Sequence, residues 1–207
     1  MEVRIDNVSK RYAHRWVLRN LSFLIPSESH VAISGPNGSG KSTLLKILSG
    51  ALNPSEGKIL FMLQNNSIAP AELYRYISLA APYAEMIEEM SIREAVNFHR
   101  RFRPFHREVN SFDSFMERME YPFLADQQIQ EMSNGMKQRI RLAFALCTQA
   151  RLLLLDEPTS HLDKDGTLWF HALLRDFGKD KTVIIASNAP EDLVGCSAEI
   201  KLGEPRK

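Results

Sequence analysis

One stretch of the chain has the composition and spacing of a phosphate-binding loop. It reads Gly-Pro-Asn-Gly-Ser-Gly-Lys-Ser from position 35 onward and fits the pattern G-x-x-x-x-G-K-[ST]. Glycines let backbone N–H groups close around anionic oxygens, the lysine reaches the β- and γ-phosphates, and the next hydroxyl is a ligand for Mg²⁺. We therefore predict that this loop binds a nucleoside triphosphate and that Lys41 is also catalytic. The predicted binding residues are Gly35, Pro36, Asn37, Gly38, Ser39, Gly40, Lys41, Ser42 and Thr43.

An acidic pair at the end of an apolar run is the second chemically active group. A run of leucines over residues 152–155 precedes Asp156 and Glu157. Such a run predicts a strand buried on both faces, and its carboxyl end lies where open α/β sheets bind ligands. We expect Asp156 to hold Mg²⁺ together with Ser42, and Glu157 to act as general base toward the attacking water. The alternative for Asp156 and Glu157 is a strand end with two solvated acids. The alternative for the loop of residues 35–43 is a glycine-rich turn that binds nothing.

Strands alternate with helices around these groups. Short apolar runs predict strands at 3–8, 16–25, 30–34, 58–63, 76–80, 151–155 and 182–187. Helical spacing predicts helices at 41–48, 91–101, 136–147 and 164–177. The alternation is typical of an α/β fold with a mostly parallel central sheet. A mostly helical insertion, broken at Pro104 and Pro122, is expected at about residues 85–148.

Composition limits the class of protein. The 207 residues carry 26 Lys and Arg against 25 Asp and Glu, so no nucleic-acid partner is expected from the net charge of +1. Cys147 and Cys196 make no disulfide framework and fit a reducing compartment. We find neither a signal peptide nor an apolar run near the roughly 20 residues that cross a bilayer. The expectation is one domain over residues 1–207, located in the cytoplasm.

Further motifs give the chain a resemblance to a known family. Residues 132–139, Met-Ser-Asn-Gly-Met-Lys-Gln-Arg, resemble the signature sequence of ATP-binding cassette (ABC) ATPases. Residues 156–163, Asp-Glu-Pro-Thr-Ser-His-Leu-Asp, resemble the Walker B and D-loop segment, and residues 52–59 are similar to the segment after the P-loop helix. The resemblance covers nearly the whole chain. It implies a P-loop NTPase fold with an N-terminal antiparallel β subdomain and an inserted helical subdomain that carries the signature.

The resemblance also implies partners and cofactors. ATP and Mg²⁺ would be bound between two cassettes arranged head to tail, with Ser133 and Gly135 at a helix N-terminus contacting the ATP of the second cassette. The alternative is a surface helix that Ser133 merely caps. Tyr12 would stack on adenine, with Trp16 as the rival candidate. Hydrolysis would drive a separate transmembrane permease subunit, with the chain peripheral at the inner face of the membrane.

Two positions depart from the family pattern. Our alignment puts Pro82 where the family has a glutamine that touches Mg²⁺, with Tyr83 or Glu85 as candidate replacements. Asn188 stands where the family has a switch histidine, and an amide can donate to the γ-phosphate but cannot share protons near neutral pH. Losing one well-placed donor lowers turnover about 10²–10³-fold. We therefore expect either a slow ATPase, with Asn188 as a catalytic residue, or an ATP-gated binding module with negligible turnover.

Other segments leave alternatives open. The basic and aromatic residues at 99–107 are expected to form a solvated helix face, a docking surface for a membrane subunit, or a nucleic-acid site. His161 is expected in packing or subunit contact rather than in metal binding. A non-transport ABC ATPase usually joins two cassettes or carries a long coiled-coil insertion, and 207 residues hold neither. A small-molecule kinase would give the signature helix no role.

Overall fold

The computed structural model describes residues 1–121 and 124–203, so the break expected at Pro122 lies outside the described residues. The strands, numbered in chain order, are β1 (Glu2–Tyr12), β2 (Arg15–Ile25), β3 (His30–Ser34), β4 (Glu56–Leu63), β5 (Asn66–Ser67), β6 (Ile77–Ala80), β7 (Leu152–Asp156), β8 (Thr182–Ala186) and β9 (Ala198–Lys201). The α-helices are α1 (Lys41–Leu48), α2 (Ile92–Phe102), α3 (Phe112–Met119), α4 (Asn134–Cys147) and α5 (Lys164–Phe177). No helix in the described ranges is long and apolar enough to span a bilayer.

The strands form two sheets of different kinds. One is antiparallel with the order β2-β1-β4-β5, and the other is parallel with the order β6-β7-β8-β3-β9. Parallel neighbours need crossover connections, which α1, α5 and the segment containing α2 to α4 provide. The predicted fold class, a mostly parallel sheet with an antiparallel N-terminal sheet and a helical insertion, is confirmed.

Burial explains why the central strands are almost wholly apolar. In β7, Leu153 and Leu155 pack into a cluster with α2, α3, α4 and α5, whereas Leu152 and Leu154 pack into a cluster with α1 and the antiparallel sheet. Successive side chains of a strand point to opposite faces, so a strand covered on both sides has no polar face. The parallel sheet is therefore the middle layer, with helices on one face and α1 with the antiparallel sheet on the other.

The helical insertion lies between β6 and β7. Its first helix, α2, begins with the predicted capping box, in which Ser91 Oγ accepts from Glu94 N–H and Glu94 Oε2 accepts from Ser91 N–H. Its last helix, α4, begins two residues before the predicted start and packs against β6 and α5. The insertion therefore covers one face of the sheet and returns the chain to its centre.

The register of the parallel sheet brings distant segments to one edge. Asp156 at the end of β7 pairs with Ala186 of β8, and Ala186 pairs with Ile33 of β3. The carboxyl ends of these three strands therefore end side by side. The phosphate loop follows β3, Asp156 and Glu157 stand at the end of β7, and Asn188 is two residues beyond β8, so the sheet itself assembles the candidate site.

Candidate nucleotide-binding site

The loop between β3 and α1 has the backbone of an anion cradle. Gly40 immediately precedes α1 and has a φ of 101°, in the left-handed region that glycine adopts readily. A Cβ at this position would stand 2.6 Å from Leu18 Cδ2 on β2. The first turn of α1 contains no acidic residue, so the partial positive charge of the helix N-terminus is uncompensated. The loop is therefore shaped and polarised to receive an anion.

The side chains of the loop leave polar groups that suit a phosphate. Lys41 is only 6% exposed, and its Nζ donates to the carbonyl oxygens of Gly35 at 2.7 Å and Pro36 at 3.4 Å. Ser39 Oγ is buried and has no hydrogen-bond partner within residues 1–121 and 124–203. A buried ammonium resting on neutral carbonyls and an orphaned hydroxyl are groups that an incoming phosphate can satisfy.

Asp156 lies beneath the loop and is 2% exposed. Burial raises the pKa of its carboxyl group, as does the charge of Glu157, while the nearby Ser42 hydroxyl and Lys41 charge lower it. Its Oδ2 atom has no hydrogen-bond partner in the part of the chain that the structure describes. An orphaned carboxylate oxygen beside a hydroxyl is a donor set that suits Mg²⁺, a hard cation that binds through one or two carboxylates plus phosphates. The residues present therefore fit Mg²⁺.

Glu157 has an unusual backbone conformation. Its φ is 48°, and its N–H donates to the carbonyl of Ala186 at 2.8 Å. Non-glycine residues in the left-handed region are uncommon and cluster at functional sites. The turn keeps the Glu157 side chain exposed, where it lines the same cavity as Lys41 and Ser42. A carboxylate there faces the space in which a phosphate and a water would meet.

The cavity has a volume of about 320 Å³, at the small end of the range for ligand sites. The structure thus brings most of the predicted loop together with Glu157, the predicted base. It also adds Val17 of β2, which the sequence analysis missed. An aliphatic side chain in a strand carries no chemical signal, so nothing in the sequence could have singled it out. The cavity is lined by Val17, Asn37, Gly38, Gly40, Lys41, Ser42, Thr43 and Glu157.

Asn188 lies across the phosphate loop. Its Oδ1 accepts from Gly35 N–H at 3.3 Å, and its Nδ2 donates to Asn37 Oδ1 at 3.1 Å. The segment before it is anchored by Ser187, whose N–H donates to the carbonyl of Ile33 at 3.1 Å. The structure therefore holds this amide against the residues predicted to bind phosphate.

Asp192 is a buried residue that sequence reasoning missed. It is 1% exposed, its Oδ2 accepts from Ser187 Oγ, and its Oδ1 accepts from Thr159 N–H at 3.0 Å. It therefore ties the segment of Asn188 to the segment that follows Glu157. The sequence around Asp192 carries no motif, because the bond to Thr159 joins residues 33 positions apart.

The signature segment forms the start of α4, away from the cavity. Ser133 is exposed and caps the helix, with its Oγ accepting from Met136 N–H at 3.3 Å. A Cβ on Gly135 would stand 2.8 Å from the carbonyl oxygen of His161, so the D-loop backbone packs directly against this glycine. Gln138 Nε2 also donates to the carbonyl of Pro158 at 2.8 Å. Neither Ser133 nor Gly135 lines the cavity of its own chain.

The two candidate adenine-stacking residues differ in their surroundings. Tyr12 is 46% exposed, and Lys10 Nζ lies 5.4 Å from the centroid of its ring. Trp16 has Arg11 at 5.2 Å and Arg19 at 5.6 Å from its ring centroid, so two guanidinium groups occupy its surroundings. Neither aromatic residue lines the cavity, and Tyr12 is the less covered of the two.

The segment that follows β6 contains the three residues considered in place of the family's glutamine, Pro82, Tyr83 and Glu85. Pro82 and Glu85 are exposed, whereas the hydroxyl of Tyr83 is buried beside Asp156. Burial raises the pKa of Tyr83, and the negative charge of Asp156 adds to this shift. Of the three residues considered, the structure brings only Tyr83 next to the predicted metal ligand.

A second cavity, here called the insertion groove, lies beside β6, α2 and α4. It has a volume of about 330 Å³ and is lined largely by apolar side chains, among them Met86, Ile87, Met90 and Phe98. The basic segment 99–107 is not one solvated face, because Arg103 points inward and donates to the carbonyls of residues 74, 77 and 149. The segment therefore stabilises the edge of the groove.

Comparison with known proteins gives a consistent result. The family model described as ABC transporter matches residues 18–160. A probable iron chelatin transport ATP-binding protein of Helicobacter pylori is 33% identical over 204 residues, which cover 94% of this chain and 80% of the relative. The Nod factor export ATP-binding protein I of Rhizobium leguminosarum bv. viciae is 31% identical over 194 residues, which cover 92% of this chain and 62% of the relative.

Solved structures agree with the sequence matches. A dimeric ATP-binding cassette in a post-hydrolysis state with ADP and Pi has a TM-score of 0.83 at 25% identity, covering 97% of this chain and 94% of that chain. A bacterial Atm1-family ABC exporter with ATP bound has a TM-score of 0.82 at 25% identity, covering 97% of this chain and 37% of that chain. The chain therefore belongs to the ABC transporter family, as one of its nucleotide-binding ATPase subunits.

Proposed function

We propose that this chain binds Mg·ATP in the loop of residues 35–43 and hydrolyses it with Glu157 as general base. The observation that carries the proposal is a set of polar groups that a phosphate and a cation would satisfy. The Lys41 ammonium is held only by backbone carbonyls, and Ser39 Oγ and Asp156 Oδ2 have no hydrogen-bond partner among the described residues. Lys41 would exchange its carbonyl partners for phosphate oxygens. Asp156 and Ser42 would hold Mg²⁺, which when bound supplies positive charge to the phosphates.

The proposed reaction assigns one proton transfer to the chain. A water attacks the γ-phosphorus, the bond to the β,γ-bridging oxygen breaks, and Glu157 accepts the proton of the water. Asn188 Nδ2, which donates to Asn37 in this structure, would donate to the γ-phosphate. Because an amide cannot exchange protons near neutral pH, we propose slow hydrolysis. Glu157→Gln should reduce the rate further, and an unchanged rate would leave Glu157 without a catalytic role.

Adenine is assigned to Tyr12 in this proposal. Its ring is less covered than that of Trp16, so it offers an open face for stacking, a contact typically worth about 1–3 kcal/mol. Tyr12→Ala should therefore weaken ATP binding, while Trp16→Ala should not.

The proposed active unit is a dimer with a second copy of this chain. Ser133 and Gly135 do not line the cavity of their own chain, and the exposed N-terminus of α4 carries no acidic residue in its first turn. Such a helix end suits a phosphate that another molecule presents. Each ATP would therefore be bound between the loop of one cassette and the signature of the other.

Mixing two inactive variants tests this dimer. Lys41→Ala removes the phosphate-binding lysine, and Ser133→Arg blocks the signature, so each variant alone should be inactive. In a random mixture half of the dimers are mixed, and each mixed dimer has one intact site, so about a quarter of the wild-type rate should return. Two copies of one variant give no such site, which makes each variant its own control. No recovery in the mixture would contradict the proposed dimer.

The insertion groove is the proposed contact with a transmembrane subunit, which places the chain at the cytoplasmic face of a membrane. Ile87 and Phe98 line the groove and are 47% and 43% exposed, although large apolar side chains are usually buried. An apolar segment of a membrane subunit would cover them. Phe98→Glu should abolish co-purification with that subunit from detergent-solubilised membranes, while Leu168→Glu, at an exposed position of α5, should not. Equal loss in both variants would contradict docking in the groove.

A further inference from the structure

Tyr83 is held next to the predicted metal ligand by two neighbouring elements. In the parallel sheet Ala80, the last residue of β6, pairs with Leu155 of β7, so the chain leaves β6 beside Asp156. On its other side, Lys46 of α1 places its Nζ 4.1 Å from the centroid of the Tyr83 ring. A cation at this distance from an aromatic face stabilises the orientation of the ring. The position of the hydroxyl is therefore fixed by the sheet, by α1 and by the ring contact.

The hydroxyl of Tyr83 and Oδ2 of Asp156 are both buried, and each lacks a hydrogen-bond partner among the described residues. They are near neighbours, because β6 ends at Ala80 beside Leu155, the residue before Asp156, and the contact of the hydroxyl with the carboxylate affects the pKa of both groups. Neither oxygen, however, meets the distance and angle limits of a hydrogen bond. Buried polar groups almost always have partners in folded proteins. Two such atoms lying side by side, at the point where Mg·ATP is proposed to bind, would satisfy each other if a hydrogen bond formed between them.

We propose that Tyr83 is a positioning residue that donates its hydroxyl proton to the Asp156 carboxylate and so orients that carboxylate toward Mg²⁺ in the nucleotide-bound state. The inference rests on the proposed function, since it concerns the same cation. Tyr83 has the two properties that the role requires. Its hydroxyl can donate a hydrogen bond, and its ring is held by the contact with Lys46. Exposed Pro82 and Glu85 have neither property.

The Mg²⁺ dependence of nucleotide binding tests the proposal. The probe is adenylyl imidodiphosphate, which is not hydrolysed, titrated calorimetrically in excess Mg²⁺ and again in EDTA. Tyr83→Phe removes only the hydroxyl and keeps the ring over Lys46. Residues that orient metal ligands typically change metal affinity 10–100-fold, so the ratio of the two affinities should fall about tenfold in Tyr83→Phe. The affinity measured in EDTA should stay at the wild-type value.

The matched control is Tyr76→Phe. Tyr76 precedes β6, at the opposite end of the strand from Tyr83, and is likewise partly buried. Its ratio should equal that of the wild type. A purely structural role for the Tyr83 hydroxyl would lower both affinities of Tyr83→Phe equally, and that result, like an unchanged ratio, would overturn the inference.

The wild-type titration separates this inference from the proposed function. If the wild-type chain binds the analogue no better with Mg²⁺ than in EDTA, the proposed Mg²⁺ site and the role of Tyr83 are both wrong. If the wild type shows Mg²⁺-dependent binding and Tyr83→Phe retains it in full, only the role of Tyr83 is wrong.

Discussion

Acidification should destabilise the fold through one partly buried histidine, His99. His99 of α2 is stacked on Phe105, with ring centroids 4.9 Å apart, and its Nε2 lies 2.8 Å from Thr148 Oγ1. Because the Thr148 hydroxyl donates its proton to the carbonyl of Phe144, Nε2 must be the donor to Thr148. Burial lowers the pKa of His99 to about 4, and the positive charge of Arg103 contributes to the shift. The folded state therefore holds this imidazole neutral.

The sign and size of the effect follow from linkage. An unfolded histidine has a pKa near 6.5, so between pH 6.5 and 4 the unfolded chain binds a proton that the folded chain does not. The stabilisation from neutral His99 is complete above pH 6.5 and is lost as the pH falls toward 4. Between pH 7.5 and pH 5 this residue should remove about 2 kcal/mol from the free energy of unfolding.

Urea unfolding at the two pH values measures this loss. His99→Gln cannot titrate but keeps an amide that can donate to Thr148, so other titrating groups cancel when the variant and the wild type are compared. The wild type should lose about 2 kcal/mol more than His99→Gln on acidification. Parallel losses in the two proteins would show that the folded state does not hold His99 neutral, and the reasoning would be refuted.

Three further substitutions have definite expected outcomes. Asn188→His should raise the ATPase rate about tenfold or more, because imidazole restores a proton-sharing donor, and an unchanged rate would contradict the argument for slow hydrolysis. Gly135→Ala should slow hydrolysis about tenfold without weakening ATP binding to the isolated chain. The new methyl group would stand 2.8 Å from the carbonyl oxygen of His161 and would displace it. Equal hydrolysis rates in the variant and the wild type would refute this. Asp192→Asn should lower the free energy of unfolding by about 1–3 kcal/mol in urea, because an amide cannot accept both hydrogen bonds at that buried position, whereas Asp180→Asn, at an exposed position between α5 and β8, should have no effect.

The local part of the candidate site is predictable from the sequence. A phosphate loop is one continuous segment. The positions of its glycines, lysine and hydroxyl therefore predict its backbone conformation and its chemistry without information from the rest of the chain. The strand of Leu152 to Asp156 is also recognisable, because a strand buried on both faces must be apolar throughout. These two features were sufficient to predict a nucleoside triphosphate as the ligand and to locate the candidate site at the carboxyl edge of the parallel sheet.

The missed features depend on contacts between distant segments. β9 has one buried residue, Ile200, so its sequence shows no alternation, and only pairing with β3 makes it a strand. Val17 reaches the cavity because β2 packs beside the loop. In the basic segment 99–107, the side chain of Arg103 points inward and donates to three backbone carbonyls. No local sequence pattern predicts these contacts. Tertiary hydrogen bonds and sheet register are therefore what sequence patterns leave out.

The turn after β7 contacts two surfaces of the molecule, that of the candidate nucleotide site and that of the signature segment. Through Thr159 it is bonded to Asp192 and hence to the segment of Asn188, and through Pro158 it is bonded to Gln138 of α4. In a dimer of the proposed kind, one surface faces the molecule's own triphosphate and the other faces its neighbour's. Occupancy at one interface would then alter the other, so ATP saturation curves should be sigmoidal rather than hyperbolic.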